Sequence, residues 1–392
     1  MNQRGSSLQY GTPTRAQAEE LVQLAGQAFA FDTAQWLSSL DEDGWHNMRT
    51  LTDERGVLAG LVIQDTAQWF GGRRVPSHAL TALLTAAHVR RQKLGEALVL
   101  RALRESREAK VPLSVLFAST PTFYRQLGYE PAGASTWFRA PARSLPSSTE
   151  GAQYVPFSSE DAETAQRLYR SFAAERAGLL DRNPHFWRTH LRPYDGSRRF
   201  AYRIDFAGQP EGYVCFQHAQ PQRTLVVQDV IATSIRAGRA ALALMSHHQS
   251  IVDTVLFRDG PQGPLHKLLS DNQARPEPTS EQWLLRLTDV AAALAQRGYP
   301  PLEARLELDV LDASLPENAG RYVLELRGGE AAVTPGGAGR IRVDVRGLAA
   351  IYSSFSHPSD VQAAGLLEAE RADVALLGAV FAGPAPFIMD TF

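Results

Sequence analysis

A basic turn, RRQKLG from Arg90 to Gly95, is the part of the sequence best suited to bind a charged ligand. A short apolar run precedes it, and from Lys93 onward apolar side chains recur at helical spacing. The first backbone N–H groups of a helix have no partner within the helix, and the helix dipole adds partial positive charge there. A strand that enters a helix through this turn therefore predicts an anion site, and a diphosphate fits such a helix end.

Four elements would position this turn. The sequence predicts a short strand at Ala79–Thr85, a tight connection at Ala86–Gln92, an amphipathic helix after it and a second buried strand at Val111–Ala118. A short helix follows at Pro121–Leu127, just before a glycine. A strand–helix–strand unit of this kind places the start of its helix at one end of a sheet.

The turn resembles the pyrophosphate loop of the GCN5-related N-acetyltransferases, whose pattern is Arg or Gln, two residues, Gly, one residue, then Gly or Ala. Arg90 matches the first position and Gly95 the last, whereas Lys93 stands where the first Gly is expected and Ala87 replaces a Pro. The stretch FYRQLGYEP, Phe123–Pro131, is similar to the family's second signature, in which a Tyr lies beside the sulfur of acetyl-CoA. The resemblance implies a coenzyme A site. An ordinary βαβ unit with a solvated Arg pair is the alternative, but it does not account for the second signature.

Length and composition bound the class of protein. A chain of 392 residues is too long for one ordinary core, which predicts two or three domains. The net charge is only −2, so no basic excess indicates a nucleic-acid surface. Cys215 is the only cysteine, which excludes a disulfide within the chain and fits a cytoplasmic protein. No apolar run has the length of a signal peptide or a membrane span.

The predicted fold class is α/β (α+β), with two acetyltransferase-like domains in tandem. Residues 1–145 give a helix, antiparallel strands and the crossover unit, and a Pro/Ser-rich stretch ends them. The order of elements repeats over 150–275. There the turn ATSIRAGRAAL, Ala232–Leu242, keeps one Gly, and no counterpart of the second signature follows. The second domain is therefore predicted to be a degenerate copy without a cofactor site.

Residues 280–392 form the third predicted domain, a strand meander with flanking helices that resembles a sterol-carrier-type domain. Gly336–Gly339 is expected to be a hairpin turn between the strands Glu330–Thr334 and Arg340–Asp344. The last segment, Phe387–Phe392, is too apolar for a solvated tail, so it is expected to pack against the protein rather than to fray.

This plan of three domains resembles the enhanced intracellular survival (Eis) family of bacterial N-acetyltransferases. The resemblance implies transfer of acetyl groups from acetyl-CoA to small-molecule amines, in some members several groups on one aminoglycoside, and a homo-hexamer. It implies Tyr124 as the general acid and the α-carboxylate of the last residue, Phe392, as the base. It implies that acetyl-CoA is contacted by Leu83, Leu84, Thr85, Arg91, Gln92, Lys93, Leu94, Gly95, Glu96, Ser119 and Thr120.

Three residues are candidates for the site that binds the acceptor amine. Phe29, Asp32 and Trp36 come where the acetyltransferase fold overhangs its acceptor pocket, and they could shape a cleft for an amine; an aromatic core with a capping Asp is the alternative. An aminoglycoside-modifying member has an acidic residue just before its terminus. Here Thr391 takes that place and Asp390 comes one step earlier, which implies a weaker attraction for a polycation.

The sequence also bears on metal binding and on a function without catalysis. With one cysteine and no His pair at the spacing of a helical zinc site, no metal is predicted. A non-catalytic protein that binds a lipid or another small molecule in the sterol-carrier-like domain is the alternative to an enzyme. The two functions differ in whether acetyl-CoA or a lipid stabilises the native protein.

Overall fold

A computed structural model describes residues 8–30, 33–157, 161–191, 198–261, 263–269, 275–276 and 280–392. The described helices are α1 (Arg15–Phe29), α2 (Ala34–Asp43), α3 (Leu94–Glu108), α4 (Pro121–Arg125), α5 (Ala162–Ala174), α6 (Pro184–Leu191), α7 (Ile235–Ser246), α8 (Pro264–Lys267), α9 (Val290–Gln296), α10 (Val345–Tyr352), α11 (Pro358–Ala363) and α12 (Arg371–Val380). Among these helices, none has the length and apolar character required to cross a bilayer.

The strands complete two sheets. They are β1 (Gln9–Gly11), β2 (Met48–Asp53), β3 (Gly56–Phe70), β4 (Arg73–Thr85), β5 (Leu113–Phe117), β6 (Glu130–Pro141), β7 (Ala152–Pro156), β8 (Phe200–Phe206), β9 (Gln209–Ala219), β10 (Thr224–Ala232), β11 (Thr254–Asp259), β12 (Arg275–Pro276), β13 (Glu281–Leu287), β14 (Ala304–Leu311), β15 (Gly320–Arg327), β16 (Glu330–Pro335), β17 (Ile341–Asp344) and β18 (Leu367–Glu368).

Helix α1 shows how the local sequence sets an element. Thr14 accepts a hydrogen bond from the backbone N–H of Gln17, and the Gln17 side chain accepts one from the backbone N–H of Thr14. This capping box satisfies two donors that a helix start leaves without partners. The helix buries Leu21 and Val22 against the first part of the large sheet.

The predicted strand Ala79–Thr85 is only the second half of β4. The strand begins at Arg73 and forms a long antiparallel hairpin with β3. Gly71 and Gly72 both have positive φ in the turn between them, a conformation that costs glycine little. Because the hairpin continues on both sides of Ala79, the sequence prediction was too short at its N-terminal end.

Both acetyltransferase-like domains contribute to one sheet, in which the described strands run β1-β2-β3-β4-β5-β13-β6-β11-β10-β9-β8-β7, with β12 beside β6. Strand β13 pairs with β5 and β6, although the proposed boundary at residue 280 assigns it by sequence to the third domain. Strand β6 in turn pairs with β11 of the second domain. The two domains are therefore joined into one sheet by the pairing of β6 with β11, and β13 is inserted between β5 and β6 from a distant part of the chain.

The third domain is built on a second sheet, in the order β16-β15-β14-β17-β18. Strand β17 pairs in parallel with β14, and β16 pairs with β15. The segment Gly336–Gly339 therefore crosses from one edge of the β15–β14 pair to the other, and the predicted hairpin turn is wrong. The reason lies in burial: Ile341 and Val343 of β17 are buried beside the central strand, whereas β16 is an edge strand without a fully buried side chain.

The core of the third domain is filled by its own side chains. Leu308 and Leu324 of the sheet pack in one cluster with Leu348, Ile351 and other residues of the covering helices, and all of these are buried. The same cluster continues into the large sheet through residues of β13 and β5. The third domain thus packs directly against the first.

Candidate active site

The site begins where β4 and β5 separate. These parallel strands pair only from Ser77 to Ala79 on β4, opposite Leu113 to Val115 on β5. Beyond Ala79 the pairing with β3 also shifts register, and Ala82 adopts a positive φ of 52°. A bulge of this kind bends its strand away from the neighbour. A gap therefore opens between the C-terminal ends of the two strands.

Helix α3 begins beside this gap with a free N-terminal end. Its N-cap residue, Lys93, makes no side-chain capping hydrogen bond. Lys93 has φ 58° and Arg91 has φ 67°, a left-handed conformation that glycine adopts at least cost. Lys93 is thus in the backbone conformation expected of the Gly that it replaces. The side chains of the basic turn stay exposed around the helix start, where an anion is favoured.

The gap and the helix start enclose a cavity of about 640 Å³. Tyr124 lines the cavity, and so do ten of the eleven residues expected to contact acetyl-CoA. These ten are Leu83, Leu84, Thr85, Arg91, Lys93, Leu94, Gly95, Glu96, Ser119 and Thr120. Gln92 is exposed in the turn and does not line the cavity. The lining combines the cations of the basic turn and the start of α3 with apolar residues at the end of β4, and this combination suits a ligand that carries both a diphosphate and an apolar arm.

Tyr124 lies on α4 at the cavity wall. Its ring contacts Phe123 with centroids 4.9 Å apart and Tyr129 with centroids 5.8 Å apart, both edge to face. Burial raises the pKa of Tyr124 to about 12, because the phenolate would lose its hydration. The phenol therefore keeps its proton at neutral pH and can donate it.

Phe392 does not line the cavity itself. Its ring lies 5.2 Å from the ring of Phe117, at the end of β5, and 5.9 Å from that of Phe186 on α6, centroid to centroid. Ser119 and Thr120, which do line the cavity, follow Phe117 closely in sequence. The last residue is thus packed against the strand that leads into the site.

The three residues predicted to shape the amine site, Phe29, Asp32 and Trp36, differ in where they lie. Phe29 is 47% exposed at the end of α1 and lines the cavity. Trp36 packs instead against the apolar cluster between α1 and the sheet. Asp32 lies outside the described residues. Of the two that the structure describes, Phe29 lines the cavity and Trp36 does not.

The matching helix start in the second domain is closed. Ser234 caps α7 by accepting from the N–H of Ala237, and its hydroxyl donates to Oε2 of Glu211 at 2.6 Å. Arg236 donates to the same carboxylate, and this contact lowers the pKa of Glu211. A carboxylate of the chain thus lies beside the start of α7, whereas the start of α3 has no side-chain cap.

Four cavity residues have no contact assigned from the sequence. Ala28 lies near the end of α1, Arg90 matches the loop pattern without an assigned contact, and Phe123 and Gln126 lie within and just after α4. Phe123 and Gln126 are three residues apart, so helical spacing places them on one side of this short helix. Among the described residues, no group of three or more His, Cys, Asp or Glu side chains is placed to hold a metal ion.

Comparisons with known proteins agree with this geometry. Two models of the acetyltransferase (GNAT) domain match residues 9–132 and 178–287, and a model of the sterol carrier protein domain matches residues 290–389. An uncharacterized N-acetyltransferase of Streptomyces coelicolor is 28% identical over 325 residues, which is 77% of each chain.

Solved structures cover nearly the whole chain. Eis1 from Mycobacterium abscessus, 24% identical, superposes with a TM-score of 0.82 over 99% of this chain and 100% of its own, which shows a shared fold. A GCN5-related N-acetyltransferase from Anabaena variabilis is 30% identical and superposes with a TM-score of 0.94, over 98% of this chain and 100% of its own. The chain therefore belongs to the GCN5-related N-acetyltransferases, and it is an acetyl-CoA-dependent acyltransferase with an Eis-like arrangement of two acetyltransferase domains and a sterol-carrier-like C-terminal domain.

Proposed function

We propose that the protein transfers the acetyl group of acetyl-CoA to a primary amine of a small molecule, by direct attack of the amine on the thioester. The observation that carries the proposal is the cavity of about 640 Å³, in which the open start of α3, the end of β4 and the phenol of Tyr124 meet. Arg90, Arg91 and Lys93 would hold the diphosphate, with the first N–H groups of α3.

Tyr124 is the proposed general acid. The amine nitrogen forms its bond to the acetyl carbon and gives a tetrahedral oxyanion, and the C–S bond then breaks as the departing thiolate takes the proton of the phenol. A backbone N–H of β4 beyond Ala79 could stabilise the oxyanion that forms in between, since that edge of the strand has left its partner β5. The buried surroundings of Tyr124 strengthen both effects, because charges interact more strongly where little bulk water is present.

The α-carboxylate of Phe392 is the proposed base. An alkylammonium has a pKa of about 10.4 by analogy with lysine, so it must lose a proton before or during attack. An α-carboxylate has a pKa of about 3.5 in water, so it would act by holding the ammonium and passing its proton through a water molecule. The packing of the Phe392 ring on Phe117 supports a fixed position beside the site.

The proposed acceptor is a small amine rather than a polycation. Asp390, the nearest acidic residue to the end of the sequence, is buried and pairs with Arg182 at 2.7 Å, so its charge is compensated within the protein. A pocket that gains no second negative charge from Asp390, beside the carboxylate of Phe392, attracts a polycation less strongly. A homo-hexamer stays a prediction, which light scattering in solution would test.

The experiment is an amine panel. The 392-residue chain would be incubated with acetyl-CoA and one primary amine at a time, including mono-amines and an aminoglycoside, and thiol release would be followed. We expect turnover with at least one mono-amine and no preference for the aminoglycoside. Thiol release at the rate of the amine-free control with every acceptor would contradict the proposed function.

A further inference from the structure

The segment Pro386–Asp390 lies where two strands of the second domain separate. Strands β10 and β11 pair in parallel only as far as Val227 and Phe257. Just beyond, an added Cβ on Gly260 would lie 2.7 Å from the Phe387 ring, which shows how closely the segment fills this place. The corresponding separation of β4 and β5 in the first domain opens into the cavity of the candidate active site.

A buried guanidinium ties this segment to the second domain. Arg182 donates from Nε to Asp390 at 2.7 Å, and from Nη1 and Nη2 to the two oxygens of Asp229 at 2.6 and 3.1 Å. All three side chains are essentially inaccessible to solvent. Asp229 lies on β10 directly after the register shift of that strand. Burial alone would lower the pKa of Arg182, but the two carboxylates raise it well above its ordinary value.

Backbone contacts fix the rest of the segment. The N–H of Phe387 donates to the carbonyl of Ala177 at 3.0 Å, and the N–H of Ile388 donates to the carbonyl of Ala134 at 3.3 Å. Arg258, the first residue of β11 beyond its last pair with β10, donates to the carbonyl of Met389. The segment is therefore bound by both acetyltransferase domains, through β6 and through the segment before α6.

We propose that the second domain has kept the strand gap of a cofactor site and uses it to hold the C-terminal segment, with Arg182 as the positioning residue for Phe392. The inference rests on the proposed role of the Phe392 carboxylate. Asp390 is two residues from Phe392, so their Cα atoms are at most about 7 Å apart, and fixing one restricts the other closely.

The arrangement has a kinetic consequence. A catalytic group displaced by about 1 Å can cost on the order of 100-fold in rate, although the substrate still binds. Loss of the pairing between Arg182 and Asp390 should therefore lower kcat and leave the acetyl-CoA site unchanged. A general loss of stability would instead lower kcat and weaken acetyl-CoA binding together.

The test compares two variants with a matched control. Asp390→Asn keeps the shape of the side chain, and Arg182→Lys keeps its charge but loses the fork that reaches both carboxylates. The control is Asp205→Asn, because Asp205 is buried, pairs with Arg203 in the same domain and lies on β8, next to the edge of the sheet. The readouts are kcat, the KM for acetyl-CoA and the rate at which carboxypeptidase releases Phe392.

We expect both variants to lose about 10- to 100-fold in kcat, with the KM for acetyl-CoA within about twofold, and to release Phe392 at least about tenfold faster. The control should change none of these. Unchanged kcat and unchanged release in Asp390→Asn would overturn the inference, as would faster release with unchanged kcat.

A chain lengthened by two residues after Phe392 separates this inference from the proposed function. If the lengthened chain is inactive while Asp390→Asn is fully active, the carboxylate is the base and the positioning role is wrong. If the lengthened chain is active, the base assignment itself fails. Should both variants fail to fold, hydrogen exchange on the unaltered chain decides. Fast exchange of the amides of Phe387 and Ile388, relative to the amide of Ala142, which donates to the carbonyl of Asp253 away from this segment, would overturn the inference.

Discussion

The ring of Phe392 lies 5.2 Å from the ring of Phe117, centroid to centroid and tilted by 59°. Phe117 ends β5, and the chain runs from it into the loop that lines the cavity. An aromatic contact thus joins the last residue of the sequence to the strand that leads to the active site.

This contact predicts the effect of Phe117→Leu. The substitution removes the ring but keeps most of the volume, so the free energy of unfolding should fall by less than about 1.5 kcal/mol. The Phe392 carboxylate would lose its fixed position, and we expect kcat to fall about tenfold. The control is Phe138→Leu, a buried strand phenylalanine stacked on Phe257 in the second domain. Equal kcat in the two variants would contradict the role of this contact.

Lys93→Gly should separate stability from cofactor binding. Lys93 has φ 58°, so glycine would relieve about 1 kcal/mol of backbone strain and stabilise the fold, while the lost charge should raise the KM for acetyl-CoA a few-fold. Lys110→Gly is the matched control, because Lys110 has φ 59° just after the other end of the same helix. It should gain similar stability without a change in KM. A raised KM in both variants would indicate an indirect effect.

The pH dependence of kcat should reflect the raised pKa of Tyr124. A general acid acts in its protonated form, and this phenol keeps its proton until the pH approaches about 12. We therefore expect no fall in kcat between pH 8 and about 10, where an ordinary tyrosine begins to ionise. A decline with an apparent pKa below about 9 that is absent in Tyr124→Phe would contradict this environment.

The free energy of unfolding should fall at high pH because of the same phenol, Tyr124. The native state holds the phenolic proton up to about pH 12, whereas the unfolded chain loses it near pH 10. The contribution is therefore complete below about pH 10 and is lost as the pH rises from about 10 to 12. Urea unfolding of the wild type and of Tyr124→Phe across this range would measure it, and a difference that does not change with pH would contradict it.

Acetyl-CoA should bind once per chain. In the second domain the carboxylate of Glu211 is held at the start of α7, and the segment Pro386–Asp390 lies where β10 and β11 separate. Calorimetric titration of the 392-residue chain should give one site, and Glu211→Gln should still give one, because the C-terminal segment remains in place. A second equivalent site would contradict the degenerate character of this domain.

Local signals in the sequence predicted much of this structure. The helix start after Lys93 and the capping residue Thr14 follow from spacing and side-chain chemistry, and ten predicted cofactor contacts meet in one cavity. These features depend on neighbours in the chain, which a sequence shows directly.

Long-range pairing could not be predicted in the same way. Strand β13 inserts between β5 and β6, and the Gly336–Gly339 segment crosses a sheet where a local turn was expected. The partner of a buried strand is set by packing with distant elements and not by its own residues. Arg182 illustrates this point: it follows an aspartate in an ordinary polar stretch, and only the fold brings it to Asp229 and Asp390.

Thiol release by Tyr124→Phe tests the central claim most directly. With a saturating amine identified from the panel, the account predicts a loss of kcat on the order of 100-fold or more, and a calorimetric Kd for acetyl-CoA within about twofold of the wild type. Tyr154→Phe, which removes a hydroxyl bonded to the carbonyl of Ala240 in the second domain, should keep full activity. An unchanged kcat in Tyr124→Phe would contradict the account.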